Sequence, residues 1–369
     1  MNVLIIDYRG DSKAWMEVYC KKELNVIYTI TPKEKSLKKF LEPREYDAIL
    51  VFETAEKQFS SMAGSYEIEE ERIIYARNAE SWLAHKWAVY ALLNENNSLF
   101  RLLDYFSEKQ KRKYTVSTVE DISYVGYSSD TTIMLNMHWW QENWSKPEMD
   151  IFHALANNFY DLSGKKYFLD IGANIGTTSI YFKKKIDSDI KVIAFEPDPE
   201  TYKLLRANFI LNEMPDDSIV ENYGLADQES NLMLYRSNDN PGANSVLAHY
   251  DDDAVSTHML RLDDYIERKG INPAEIKYMW IDVEGYEAQM LFGAKKIITT
   301  QKVPLYMEWN PQAYVFTNTF DDLVNFLVEN FKGYVDAKEV REGNISVHKV
   351  TDLWAYKGSE EQRDIFFIK

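Results

Sequence analysis

The sequence predicts an α/β protein whose larger part is a doubly wound sheet, preceded by a smaller N-terminal α/β unit. Three observations predict it. Residues 151–369 alternate apolar runs with helical patterns. Within them, "YFLDIGANIGTTSIYF" (Tyr167–Phe182) runs from an apolar strand through a tight glycine turn into a helix. Residues 1–111 carry a shorter alternation of the same kind without a glycine-rich turn, and residues 112–150 join the two as a hairpin and aromatic linker region.

The composition sets bounds on this reading. A chain of 369 residues is long enough for two cores, and 45% hydrophobic with 14% aromatic residues is the make-up of a globular protein. A formal net charge of -17 argues against a nucleic-acid partner, because phosphate neutralisation needs clustered Lys and Arg. Cys20 is the single cysteine, which excludes an intrachain disulfide and a cysteine-based zinc site; it reads as a small apolar filler. The start, "MNVLIIDYRGD", lacks a basic region and a cleavage site and reads as a first strand. No apolar run approaches the ~20 residues of a membrane span, so a cytoplasmic location is expected.

Taken in order, "VLIID", "NVIYTIT", "YDAILVFE" and "RIIYAR" read as the strands of a small parallel sheet. Gly10 stands alone after the first, so a scaffold or interaction role is expected there rather than a nucleotide site. "ESWLAHKWAVYALLNE" and "SLFRLLDYFSEKQ" carry three- and four-residue apolar steps and read as helices. "DISYVGYSSDTTIMLNM" reads as a hairpin turning at Ser128, Ser129 and Asp130, and a helix follows that ends near Gly164. The second half then predicts strands at 167–171, 191–196, 219–224, 278–283 and 303–308. Helices are expected at 177–186, 199–212 and 286–298, and the segment 320–331 follows the fifth strand. The tail pieces "YVDAKEV", "ISVHKV", "DLWAYK" and "IFFIK" read as short terminal strands.

The glycine turn departs from the dinucleotide fingerprint. G-x-G-x-x-G needs its second glycine so that backbone can approach a pyrophosphate. Gly172 and Gly176 are present, but Asn174 stands at the second glycine's position and Thr177 at the third's. A ligand without phosphates fits better, which makes a nicotinamide-dependent oxidoreductase the weaker reading. The next strand, "KVIAFEPDPE", ends in Glu196, whose two oxygens can accept both hydrogens of a ribose diol. The bland alternative, a cap on the helix entered at Asp198 and Pro199, yields to ribose binding once the glycine turn is considered.

These residues carry a resemblance. "FLDIGANIGTTSIYF", "AFEPDPETYKLLRANFILN", "GLADQES", "LDDYI" and "IDVEGYEAQMLFGAKKII" stand in the order found in the FkbM family of S-adenosylmethionine-dependent methyltransferases, over roughly residues 165–310. The resemblance implies a class I methyltransferase (Rossmann-like) fold and methyl transfer to a hydroxyl of a sugar, glycan, lipid or similar small acceptor. It leaves the N-terminal 150 residues unread. Carried over, it implies that Asp170, Gly172, Ala173, Asn174 and Gly176 line the methionine and ribose part of S-adenosyl-L-methionine, and that Glu196 holds the ribose hydroxyls. Ala226 and Asp227 would lie beside the adenine, although Asp227 serves equally well as a turn residue.

A hydroxyl acceptor needs a base and alignment. In "YMWIDVEGYE", Asp282 and Glu284 end the fourth strand two residues apart, so both carboxylates face one side. Such a pair can act as base, as a hard-cation site, or as hydroxyl-binding groups; a divalent cation is compatible but not expected. "VPLYMEWNP" brings Glu308 and Asn310 to the same edge. The polar stretch "NDNPGANSVLAHYDDD" resembles the family's variable insertion near the acceptor, with Asn244 and Ser245 as acceptor contacts and His249 as a lesser base candidate. "LDDYI" reads as structural, Leu262 in a core and Asp263 at a helix start. A catalytically silent nucleoside-binding module is the competing class, and it has no need of the acids in "DVEG" and "MEWN".

Overall fold

A computed structural model describes residues 113–369 except 131, 238–240 and 248–252, together with four N-terminal strands. The chain divides into two compact units, Met1–Gln110 and Lys111–Lys369. In the first, β1 (Asn2–Ile6), β2 (Asn25–Ile30), β3 (Ala48–Phe52) and β4 (Ile73–Ala76) pair in parallel in the order β2-β1-β3-β4. These are the four apolar runs read as strands. Gly10, Cys20, the two aromatic helical stretches between Glu80 and Gln110, and His249 lie outside the described residues.

The second unit opens with β5 (Tyr114–Val119) and β6 (Ile122–Tyr127), an antiparallel hairpin. Its turn is at Glu120 and Asp121, not at Ser128–Asp130 as the sequence suggested; Glu120 takes a φ of 55° there. Asp130 does use its turn-forming chemistry, but to start a helix. Its Oδ1 accepts from the amides of Thr132 and Ile133, both at 2.8 Å, ahead of α1 (Ile133–Trp140). Two asparagines tie the hairpin to the rest of the unit: Asn208 bonds both N–H and C=O of Val125, and Asn212 does the same for Ser123. Position 151 falls inside α2 (Lys146–Phe159), which lays the fully buried Phe152 against the sheet. Its ring centroid is 5.6 Å from those of Tyr278 and Tyr306 and 5.8 Å from those of Trp280 and Phe366.

The central elements follow in chain order. They are β7 (Tyr167–Ile171), α3 (Thr177–Tyr181), β8 (Lys191–Phe195), α4 (Pro199–Leu211) and β9 (Ile219–Glu221). The α3 helix widens into one π turn, closed by Asp187 N–H donating to Phe182 O at 2.8 Å. A side sheet comes next, β10 (Gly224–Leu225), β11 (Ser230–Tyr235) and β12 (Ala254–Leu260), in the order β10-β12-β11. The chain returns through α5 (Leu262–Arg268), β13 (Ile276–Ile281), α6 (Glu287–Gly293), α7 (Lys295–Thr300) and β14 (Leu305–Trp309). It closes with α8 (Pro311–Phe316), α9 (Phe320–Asn330), β15 (Gly333–Asp336), α10 (Ala337–Arg341) and β16 (Arg363–Ile368).

The seven-stranded sheet has the order β15-β16-β14-β13-β7-β8-β9, parallel except where β16 runs against both β14 and β15. From β7 the chain winds outward one way through β8 and β9, then the other way from β13. The crevice beyond the carboxyl ends of β7 and β13 is therefore the switch point at which such sheets bind ligands.

The tail departs from expectation. Asp336 caps α10 by accepting from Lys338 N–H at 2.8 Å, so "YVDAKEV" is half strand and half helix. "ISVHKV" contributes a single bridge, His348 to Tyr334, and "DLWAYK" lies in a 3₁₀ helix, Val350–Tyr356. Apolar runs this short do not distinguish strand from helix. Leu262 is fully buried as expected. Asp263 stands in the first turn of α5, yet its carboxylate caps a different helix, accepting from Lys296 and Ile297 of α7 at 2.8 and 3.0 Å.

Candidate active site

A cavity of about 450 Å³ occupies the switch point, within the range of small-ligand sites. Its floor is the glycine turn. Gly172 has a φ of 87°, and a Cβ there would stand 1.7 Å from the Asp282 carbonyl oxygen, so no other residue lets β7 and β13 approach so closely. Gly172 and Ala173 both donate to Phe195 O, at 3.1 and 2.9 Å, which folds the turn over the end of β8. Asn174 takes a left-handed φ of 49° and donates its amide to Glu196 Oε2 at 2.9 Å.

Glu196 is held from both sides, because its Oε1 accepts from Asp198 N–H at 2.8 Å. The capping alternative is excluded: Asp198 caps α4, accepting from Glu200 and Thr201 at 2.7 and 3.2 Å. Glu196 instead lines the cavity. A carboxylate has about four acceptor sites, so two backbone amides leave it able to receive two hydroxyl hydrogens. Burial pushes its carboxyl up to about 8. Beside it, Phe195, Tyr223, Leu225 and Met259 supply an apolar wall.

The opposite end of the cavity is acidic. Asp282, Glu284 and Glu308 line it together, as the sequence predicted, joined by Asp364 from β16. Glu308 and Asp364 are directly paired across strands, and Glu308 Oε2 is buried without a hydrogen-bond partner. Asp282 is open to solvent through the cavity but enclosed by protein on its other sides. Burial and mutual repulsion push these carboxyls up: after burial, Asp364 is the strongest repelling neighbour of Asp282, and Asp282 that of Glu284 and Glu308. Glu284 adopts a φ of 52° and Gly285 one of 95°, which turns the chain away from β13. Among the described residues no group of three or more His, Cys, Asp or Glu side chains is arranged to hold a metal ion.

Other expected residues serve the site from behind its wall. Asp170 is 1% exposed, bonded to the Ser179 hydroxyl, and its Oδ1 has no partner. Gly176 caps α3 and faces Leu205 and Phe209. Ala226 is buried and Asp227 exposed, and neither lines the cavity; Tyr223, Gly224 and Leu225 do, three residues earlier in the same turn. Asn244 lines it, with Oδ1 held by Ser237 N–H. Ser245 does not: its hydroxyl donates to Glu284 O at 2.9 Å, fixing that turn. Asn310 does not either, since its Oδ1 caps α8 by accepting from Ala313 N–H at 3.2 Å. Sequence reading missed Asp364 and the wall formed by Trp144, Ser145 and Glu148. The acid in "RDIFFIK" and the tryptophan in "ENWSKPE" are visible in the sequence, but only the sheet order brings them here.

The sheet order, with its antiparallel β16 and its cavity beyond β7 and β13, is that of a class I methyltransferase fold. Residues 170–335 match the methyltransferase FkbM domain. Methyltransferase sdnD of Sordaria araneosa is 34% identical over 98 residues, 27% of this chain and 37% of that protein. The 2-O-methyltransferase NoeI of Sinorhizobium fredii (strain NBRC 101917 / NGR234) is 24% identical over 160 residues, 39% of this chain and 63% of that protein. The chain thus spans less than two thirds of either relative's length. A solved FkbM methyltransferase from Methylobacillus flagellatus KT superposes with a TM-score of 0.37 at 15% identity, covering 99% of this chain and 89% of that one.

Proposed function

We propose that the second unit is an S-adenosylmethionine-dependent O-methyltransferase acting on a hydroxyl of a sugar, glycan, lipid-linked or similar small acceptor. The observation that carries this reading is the Asn174–Glu196 arrangement: a left-handed, non-glycine turn clamps one carboxylate at the switch point with two acceptor sites to spare. That suits a ribose diol and offers nothing to a pyrophosphate. Gly172 and Ala173 would pass beside the amino-acid portion, Glu196 would take the ribose hydroxyls, and Tyr223 and Leu225 would flank the base. When bound, S-adenosylmethionine supplies an electrophilic methyl group.

The chain's own residues do the rest. The walls align the acceptor oxygen, and an acid among Asp282, Glu284 and Glu308 takes its proton. Asp282, pushed up to about 7, suits that task best, since a base is most effective when its pKa lies near the working pH, whereas Glu284 at about 9 and Glu308 at about 10 hold their protons there. The cavity wall also bears on acceptor charge. Six acids line it, among them Glu148 and Asp364, and no Lys, Arg or His does among the described residues. A phosphate or carboxylate beside the acceptor's hydroxyl would find no basic side chain on this wall, so a neutral or cationic hydroxyl compound is favoured. A relative known as a 2-O-methyltransferase supports oxygen as the target atom. The test is incubation of the protein with methyl-labelled cofactor and a glycan and lipid extract: label should enter a product not retained by an anion exchanger.

A further inference from the structure

We propose that Glu287 is a positioning residue that locks the two acid-bearing turns of the cavity into one unit through Tyr314. This rests on the methyltransferase reading only for its purpose, because the geometry stands by itself. Glu287 opens α6 and is 0% exposed, an expensive place for a carboxylate unless it is fully used. Its Oε1 accepts from Val283 N–H at 3.2 Å and Gly285 N–H at 3.1 Å, the amides on either side of Glu284. Its Oε2 accepts from the Tyr314 hydroxyl at 3.0 Å. Tyr314 is also 0% exposed; its oxygen receives Asn310 N–H at 3.0 Å and lies 3.0 Å from Glu308 O.

One carboxylate therefore holds the β13–α6 turn, with Asp282 and Glu284, and reaches the β14–α8 turn, with Glu308. Neither Glu287 nor Tyr314 lines the cavity, so Glu287 acts through others. Its charge acts as well. Glu287 is among the repelling neighbours of Asp282, Glu284 and Glu308, and burial raises its own proton affinity as well.

The experiment uses the full-length protein and three variants, reading amide exchange and the titration of ¹³C-labelled side-chain carboxyls. Glu287→Ala should speed exchange at Val283, Gly285 and Asn310 together, relative to the sheet. Tyr314→Phe should speed Asn310 by about tenfold, the measure of one hydrogen bond, while leaving Val283 and Gly285 protected. Glu287→Gln keeps an acceptor for the turn amides, so protection should be restored while the cavity carboxyls titrate at lower pH. The proposal is overturned if the two turns respond no more than the sheet does, or if Glu287→Gln leaves the carboxyl titration unchanged. S-adenosylhomocysteine binding, measured in parallel, reports on the methyltransferase reading separately.

Discussion

Gly172 and Asp282 meet backbone to backbone at the ends of neighbouring strands, so closely that a methyl group on the first would stand 1.7 Å from the carbonyl oxygen of the second. The contact joins the two motifs of the site: the turn that faces the cofactor and the turn that carries the acids. Gly172→Ala would add that overlap to the cost of a φ of 87° in a non-glycine residue, about 1–3 kcal/mol before any clash. A lower melting temperature together with loss of S-adenosylhomocysteine binding is expected. A variant that melts and binds like wild type would show that the strands part without consequence.

Stability should fall as pH rises. Burial holds Glu196 up at about 8 and Asp170 up at about 7, so in the folded chain each keeps a proton that the unfolded chain loses near pH 4. Protons bound only by the folded state stabilise it at low pH, and the contribution is lost as pH rises through the folded pKa. Melting temperatures of the ligand-free protein should therefore decline between about pH 5 and 8. Glu196→Gln should flatten the upper part of that decline and leave the part due to Asp170. A melting temperature that climbs over this window would refute the assignment.

Two residues expected at the acceptor are better tested as structure. Asn310→Ala should cost about 1 kcal/mol of stability through the lost α8 cap, with no change in cofactor affinity. Ser245→Ala should act the same way, by releasing Glu284 O. Denaturant unfolding beside calorimetry distinguishes this from a direct binding role.

Asp282→Asn should leave cofactor affinity nearly intact while turnover, followed by transfer of labelled methyl, drops by about 10²–10⁴. If the cavity acids hold a divalent cation instead, chelation would silence the wild type, and added Mg²⁺ would partly restore the variant. Wild-type turnover in Asp282→Asn would reduce it to a wall residue.

How much of this was legible in the sequence depended on range. The strands β7 and β8 and the turn between β7 and α3 were readable because apolar runs, glycines and Glu196 lie within thirty or so residues and obey local rules. Asp282 and Glu284 were singled out for a reason that does not hold: β13 ends at Ile281 and Glu284 takes a φ of 52°, so a turn and not an extended strand brings both to the cavity. Asp364 was not, since it reaches Glu308 only through an antiparallel strand inserted beside β14. Trp144 and Glu148 were hidden in a stretch read as a linker, whose helix packs by Phe152 against five rings from distant elements. Asn310, Ser245 and Asp263 were polar residues near turns, and position alone does not say whether such a side chain caps a helix or meets a ligand.

The central claim is that the Asn174–Glu196 clamp receives the ribose of S-adenosylmethionine. Calorimetric titration of wild type and Glu196→Ala with S-adenosylhomocysteine and with NAD tests it most directly. Above about pH 8, where Glu196 is ionised, wild type should bind S-adenosylhomocysteine and not NAD, and the variant should lose about 1.5–3 kcal/mol of that binding, as expected for hydrogen bonds to a charged group. Equal affinity of variant and wild type for S-adenosylhomocysteine, or a preference for NAD, would contradict it.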